Sequence, residues 1–137
     1  MSDRVFIDTN VFVYADDASA KTKRVRAREA IAGAIRARGA VVSTQIMQEY
    51  FAAATSTLKL SPAAARLRVE RLSRLDVVII RPQLILGAID LHRLHALSFW
   101  DALVVRAASA AGCARLLSED LNDGQTIDGV TIENPFA

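Results

Sequence analysis

Acidic residues at a few places in the 137-residue chain carry the chemistry it is equipped to perform. Asp8 interrupts the apolar stretch from Val5 to Ala15 and is followed by Thr9 and Asn10. Glu49 lies early in a helix-patterned segment, Asp101 follows Ser98-Phe99-Trp100, and Glu119, Asp120 and Asp123 lie in SEDLNDG. If these positions converge, four carboxylates within about 4 Å repel by about 4 kcal/mol per pair at an effective dielectric near 20. Such a cluster must take up protons or bind a cation. Oxygen-only ligands select hard divalent ions, Mg2+ or Mn2+, and a site of that kind suits phosphate oxygens. One or two ions there would serve metal-assisted phosphodiester cleavage, while a carboxylate free of the metal orients the attacking water.

Each acid also has a purely structural role open to it. Ser98-x-x-Asp101 matches a capping box. Helical phase turns Glu49 away from the stripe of Met47, Tyr50, Phe51, Ala54 and Leu58 and toward solvent. Asp120 and Asp123 fall among Asn and Gly, ordinary turn formers. Asp8 suits an Asx-turn or a helix cap, yet it stands where a parallel sheet binds ligands. Spacing alone leaves both kinds of role open.

The elements that must position these acids follow from periodicity. Val5 to Ile7, Ala40 to Val42, Val77 to Ile80, Leu116-Leu117 and Val130 to Ile132 read as four to five short strands, apolar enough for burial on both faces. Between them lie helical stretches. The first spans about Ala20 to Arg38, with apolar Val25, Ile31, Ala34 and Ile35 and a stop at Gly39. A second is capped by Ser43 or Thr44, and a third opens at Ser61-Pro62 and runs to about Arg74. A fourth spans Gln83 to His95, and the last begins at Ser98 and ends before Gly112. Ala102 to Val105, Ala107, Ala108 and Ala110 cover nearly the whole circumference of that last helix, so it should be enclosed. Alternation of strands and helices implies an α/β fold, a mainly parallel sheet covered on both faces, in which ligands bind beyond the carboxyl ends of the strands.

Composition bounds the answer. Hydrophobic residues form 52% of the chain and no low-complexity tract appears, which argues for one globular domain over residues 1–137. No apolar run approaches the ~20 residues of a membrane span, and no leader pattern opens the chain, so a cytoplasmic location is expected. Cys113 is the lone cysteine and reads as a small buried residue. The formal charge is +2, but 14 of 17 basic residues are Arg, the side chain suited to paired hydrogen bonding with phosphate.

FIDTNVFVYA, STQIMQEYF, LSFWDALVVRAA, and LLSEDLNDG followed by IENPF resemble, in order, the motif blocks of PIN-domain nucleases, and specifically the VapC-type ribonuclease toxins of toxin-antitoxin pairs. The resemblance covers essentially the whole chain. It implies a single PIN-like domain in which Asp8, Glu49, Asp101 and Asp120 form the catalytic metal site. Thr9 and Asn10 would shape the turn and support the ligands. The fourth acid of the family usually follows a Thr by two positions; here Ser118 replaces that Thr and keeps its hydroxyl, and Glu119 and Asp123 are further candidates for sharing the role. The resemblance also implies Mg2+-dependent endonucleolytic cleavage of RNA, a VapB-like antitoxin and a homodimer. Removing four site acids leaves 11 Asp and Glu against 17 Lys and Arg, a balance of +6 that would attract a phosphate backbone.

Other features have commoner explanations. Lys21, Arg24 and Arg28 form one helical stripe with Lys23 and Arg26 beside it, and Arg68, Arg71 and Arg74 a second; solvated faces are the usual reading, with RNA or antitoxin contact by Arg24 and Arg28 the sharper one. His92 and His95 are three apart, but His95 continues the Leu84, Ala88, Leu91 face and should pack. Phe99 and Trp100 are read as core or dimer contacts rather than base-stacking groups. Three alternatives to a toxin remain: a PIN nuclease of RNA processing, a degenerate binding module, and a non-catalytic Mg2+-binding regulatory domain of receiver type. The last requires a phosphate-contacting Lys late in the chain, and no Lys follows Lys59.

Overall fold

The computed structural model describes residues 3–137. Strand β1 (Val5–Ile7) leads through Asp8 into helix α1 (Thr9–Ala15), followed by a single 3-10 turn and α2 (Thr22–Arg36). Then come β2 (Ala40–Ser43), α3 (Thr44–Ser56), α4 (Pro62–Leu72), β3 (Asp76–Val78), α5 (Pro82–Leu94), α6 (Phe99–Ala110), β4 (Arg115–Leu117), β5 (Thr126–Ile127) and β6 (Val130–Glu133). They form one sheet in the order β3-β2-β1-β4-β6-β5, parallel except where β5 meets β6.

Every residue of β1 and β2 is buried, as strands covered on both faces require. The chain steps outward from β1 to β2 to β3 and then returns past β1 to β4. With crossovers of the usual right hand, the outward and return steps place their helices on opposite faces. The packing agrees: α1 lies against α2 and α3, α3 against α4, and α5 against α6. The reversal of strand order puts the topological switch point between β1 and β4, where Ile7 pairs with Leu117. Among the described residues, no helix is long and apolar enough to cross a membrane.

Local signals explain most boundaries. Ser43, Ser61 and Ser98 cap α3, α4 and α6 by accepting from Ile46, Ala64 and Asp101 N–H, and Pro62 and Pro82 open their helices. Helix α6 ends in a Schellman arrangement, with Gly112 left-handed and Cys113 N–H donating to Ala108 C=O at 3.0 Å. All six of its apolar residues from Ala102 to Ala108 are buried, as the enclosed-helix expectation requires, whereas Ala110 in its last turn is exposed.

Several expectations are corrected. The sheet has six strands, not four or five: Asp128 and Gly129, both at positive φ, make the tight turn that adds β5, and Arg106 and Ser109 of α6 hold this hairpin through Asp128. The buried side of α2 is Ala27 and Ala34, with Ala30 and Ile31 against the core, so Val25 and Ile35 fall one position off the stripe and are exposed. Phe51 and Trp100 are likewise exposed, the latter by 61%, while Phe99 packs against the core. Helix α5 stops at Leu94, so exposed His95 leaves the helical phase that predicted its packing, and His92 bonds the Leu97 carbonyl.

Gly39 is needed for a reason other than a helix stop. The left-handed residue after α2 is Arg38, whereas a Cβ on Gly39 would stand 2.0 Å from the Asp3 carbonyl oxygen, against the strand whose Val5 N–H donates to Gly39 C=O at 2.7 Å. Gly39→Ala should therefore destabilise the fold by about 1–3 kcal/mol. Urea unfolding should show a lower midpoint at unchanged m-value; an unchanged midpoint would contradict the close approach.

Candidate active site

The carboxyl end of β1 delivers Asp8 into the switch point. Its backbone N–H still belongs to the sheet, donating to Leu117 C=O at 3.0 Å, while its side chain caps α1 by accepting from Thr9 N–H at 2.8 Å. The cap reading of Asp8 is therefore observed, and the same carboxylate stands at the carboxyl end of β1 where the site reading expects it. Ser118, completely buried at the end of β4, donates to Asp8 Oδ2 at 2.7 Å, and Asn10 Nδ2 reaches Asp8 Oδ2 at 3.4 Å and Asp120 Oδ2 at 3.1 Å. Ser118 Oγ also accepts from Asp120 N–H at 3.1 Å. The hydroxyl two residues before Asp120 therefore joins two acids.

Glu49 is half-buried rather than solvated, because α3 begins at the sheet edge and its first turns face α1 and α6. Thr9 Oγ1 donates to Glu49 Oε1 at 2.8 Å, and Gln45 Nε2 donates to Glu49 Oε2 and to the Trp100 carbonyl, both at 3.2 Å. Gln45 was not legible as a site residue: one turn before Glu49, it lies on the face that periodicity assigned to no role. It is buried and couples Glu49 to the residue preceding Asp101. Its two acceptors fix the amide orientation and leave Oε1 buried without a hydrogen-bond partner.

Asp101 occupies the first turn of α6, where Ser98 caps as expected. Burial raises its pKa; the Ser98 hydrogen bond opposes this, and the negative charges of Asp120 and Glu49 add to it. Burial also pushes Asp8 up, to about 6, against the lowering effects of Ser118 and Thr9 and with repulsion from Asp120 and Glu49. Asp8 and Asp101 thus share the same two negative neighbours, Asp120 and Glu49. Asp120 itself is exposed, so the group opens to solvent and to a polymer.

Among the described residues no three Asp, Glu, His or Cys side chains form a ready-made metal cage. The expected repulsion is relieved instead by burial favouring the proton on Asp8 and by neutral donors, Asn10 above all, placed between acids. Two other candidates point elsewhere. Asp123 accepts from Asn134 N–H at 2.8 Å and fastens the segment after β6. Glu119 directs both carboxylate oxygens to Tyr14 and Lys23, and only its N–H, donating to Asn10 Oδ1 at 3.3 Å, meets the centre. Of the arginines, Arg28 uses its Nε on the Ala15 carbonyl, whereas Arg24 Nε is buried without a partner.

The PIN domain family model matches residues 5–122. The chain belongs to the PIN domain family. Solved structures similar to this PIN domain include DNA-bound VapBC from Salmonella typhimurium, with a TM-score of 0.71 at 20% identity over 98% of this chain and 99% of that one. A toxin-antitoxin complex from Klebsiella pneumoniae gives 0.68 at 19% identity, over 96% and 97% of the two chains. The sarcin-ricin loop cleaving toxin VapC20 of Mycobacterium tuberculosis gives 0.60 at 15% identity, over 82% and 86%. A search of curated proteins gave no match.

The buried Asp8 carries a pH signature. An acid whose folded pKa of about 6 exceeds its unfolded value near 3.8 favours the fold fully at low pH, and that contribution is lost as pH rises through about 6. The loss from this group is on the order of 3 kcal/mol. In cation-free solution, carbon-detected NMR should show the Asp8 carboxyl titrating near 6, and higher in Ser118→Ala, which lacks a donor to the charged form. An Asp8 titration near 4 in both proteins would refute this electrostatic picture.

Proposed function

We propose that this PIN domain is an endoribonuclease dependent on Mg2+ or Mn2+, the toxin of a VapBC-like toxin-antitoxin pair, acting on RNA as a homodimer and restrained by a VapB-like antitoxin. The observation that carries the nuclease reading is the coupling of Asp8 to Glu49 and Asp120 at the switch point, with Asp101 coupled to the same two acids. The toxin assignment is supported by the neighbours, which are toxins or toxin-antitoxin complexes of nearly the same chain length.

The donor set fits a hard cation. All four acids offer oxygen, and Asp8 and Asp101 are both pushed up, first by burial and further by the charges of Asp120 and Glu49, a burden that a divalent charge would lift. Asp8, Asp101 and Asp120, with Glu49 beside them, would hold it. Bound there, such an ion supplies Lewis acidity that offsets charge growing on the scissile phosphate. The chain does the rest by positioning. Ser118 and Thr9 N–H aim Asp8, and Asn10 sets the spacing of Asp8 from Asp120. Glu49, with both oxygens tethered by Thr9 and Gln45, is the acid placed to orient the attacking water and accept its proton. The Arg-rich remainder of the surface would draw in the phosphate backbone, with Arg24 a candidate contact from its helical stripe.

Purified protein free of antitoxin should cleave RNA with Mg2+ or Mn2+ and lose cleavage in EDTA. Asp8→Asn and Asp101→Asn should lower the rate on the order of 100-fold or more while remaining folded by circular dichroism. Wild-type rates in both variants would remove the assigned site. Arg24→Glu should lower the slope of log affinity against log salt by about one; binding to an inactive Asp8→Asn background measures it, and an unchanged slope would exclude Arg24 as a phosphate contact.

A further inference from the structure

Glu119 sits between two residues of the acidic centre, yet its carboxylate takes no part in it. Oε1 accepts from Tyr14 Oη at 2.8 Å and Oε2 from Lys23 Nζ at 2.5 Å. Lys23 Nζ stands 3.4 Å from Tyr14 Oη, 4.7 Å from the centre of the Tyr14 ring and 5.7 Å from that of Phe136. The Tyr14 ring meets Phe136 edge-on at 5.0 Å, and Arg26 donates to the Phe136 and Ala137 carbonyls at 3.1 and 3.0 Å. Helices α1 and α2 therefore hold the Glu119 side chain, and the segment after β6 backs the two residues that hold it.

Stability alone is a weak account of this arrangement. The Lys23 and Glu119 side chains are 44% and 26% exposed, and exposed ion pairs contribute little. Direction is the stronger account. Glu119 adjoins Asp120 in sequence, yet both of its carboxylate oxygens are taken by Tyr14 and Lys23, so the grip directs a fifth carboxylate away from the other four. It also completes the restraint on one short turn: Ser118 is tied to Asp8, Glu119 N–H to Asn10, Asp120 N–H to Ser118, and the Glu119 side chain to Tyr14 and Lys23. Asp120 is exposed and its carboxylate is held by the single bond from Asn10, so its placement depends on the turn that carries it.

We propose that Lys23 and Tyr14 are positioning residues of the acidic centre: by holding Glu119 outward they fix the turn that presents Asp120. This inference deepens the nuclease reading and rests on it. Neither residue touches the four acids, so their influence runs through Glu119.

The test uses the full chain with Mn2+ as the probe, its binding read directly by electron paramagnetic resonance and RNA cleavage read separately. Lys23→Met and Tyr14→Phe should each weaken Mn2+ binding about tenfold, as losses behind a metal ligand do. At saturating Mn2+ they should lower kcat with little change in KM for RNA. Lys23→Arg should restore both, and Lys23→Met combined with Glu119→Gln should be no worse than Lys23→Met alone, since both act through one contact. Unchanged Mn2+ affinity and kcat, with only a lower Tm, would overturn the proposal. Weakened Mn2+ binding in the variants of a protein that cleaves no RNA would uphold the positioning role and sink the nuclease reading; a wild type that binds no Mn2+ would overturn both.

Discussion

A carboxylate carried into the interior on the end of a central strand is the constraint around which this structure is arranged. Asp8 is 5% exposed, its N–H is committed to the β1–β4 ladder, and its position is dictated by β1, whose residues are all buried. Removing an ionised group from water is costly unless hydrogen bonds or opposite charge replace the lost solvation. Among the described residues, no cationic side chain bonds it. Its listeners are a hydroxyl, a backbone N–H and an amide, from Ser118, Thr9 and Asn10, and its nearest charges are other acids. That combination leaves the group short of positive charge, a lack that a proton or a bound cation would make good.

The surrounding structure follows from meeting that constraint with rigid parts. Asp8 serves at once as strand end and helix cap, so α1 starts at a fixed angle and brings Thr9 to Glu49. Gln45 then ties Glu49 to the backbone before Asp101, and Asn10 spans to Asp120. Each acid is aimed by a residue from a different element, and the parallel sheet sets the distances between those elements. Asp120 is exposed and Glu49 and Asp101 are half-buried, so the acids reach solvent beyond the carboxyl ends of the strands.

How much of this was visible in the sequence differs from residue to residue. The parallel α/β order, the Ser caps and Asp8 were legible because they depend on local pattern: apolar runs, S-x-x-x starts, and a polar break at a strand end. Glu49 was legible only through family resemblance, since its helical phase points outward and its burial comes from α1 and α6 packing around it. Gln45 and Tyr14 gave no local signal; their roles arise from contacts that span 55 and 105 residues of chain. The β5 strand was missed although Asp128-Gly129 is a hairpin turn signal, because two residues are too few to show alternation. Trp100, read as a core or dimer contact, lies at the exposed start of α6, which removes the core half of that reading.

The central claim is that the four acids form a binding centre for a hard divalent cation. Anomalous diffraction at the manganese edge from crystals soaked in Mn2+ tests it most directly. The account predicts a peak about 2.1–2.2 Å from carboxylate oxygens of Asp8 and of at least one of Asp101, Asp120 and Glu49, absent in Asp8→Asn crystals. Saturating Mn2+ with no peak at these acids, or a peak that persists in Asp8→Asn, would contradict it.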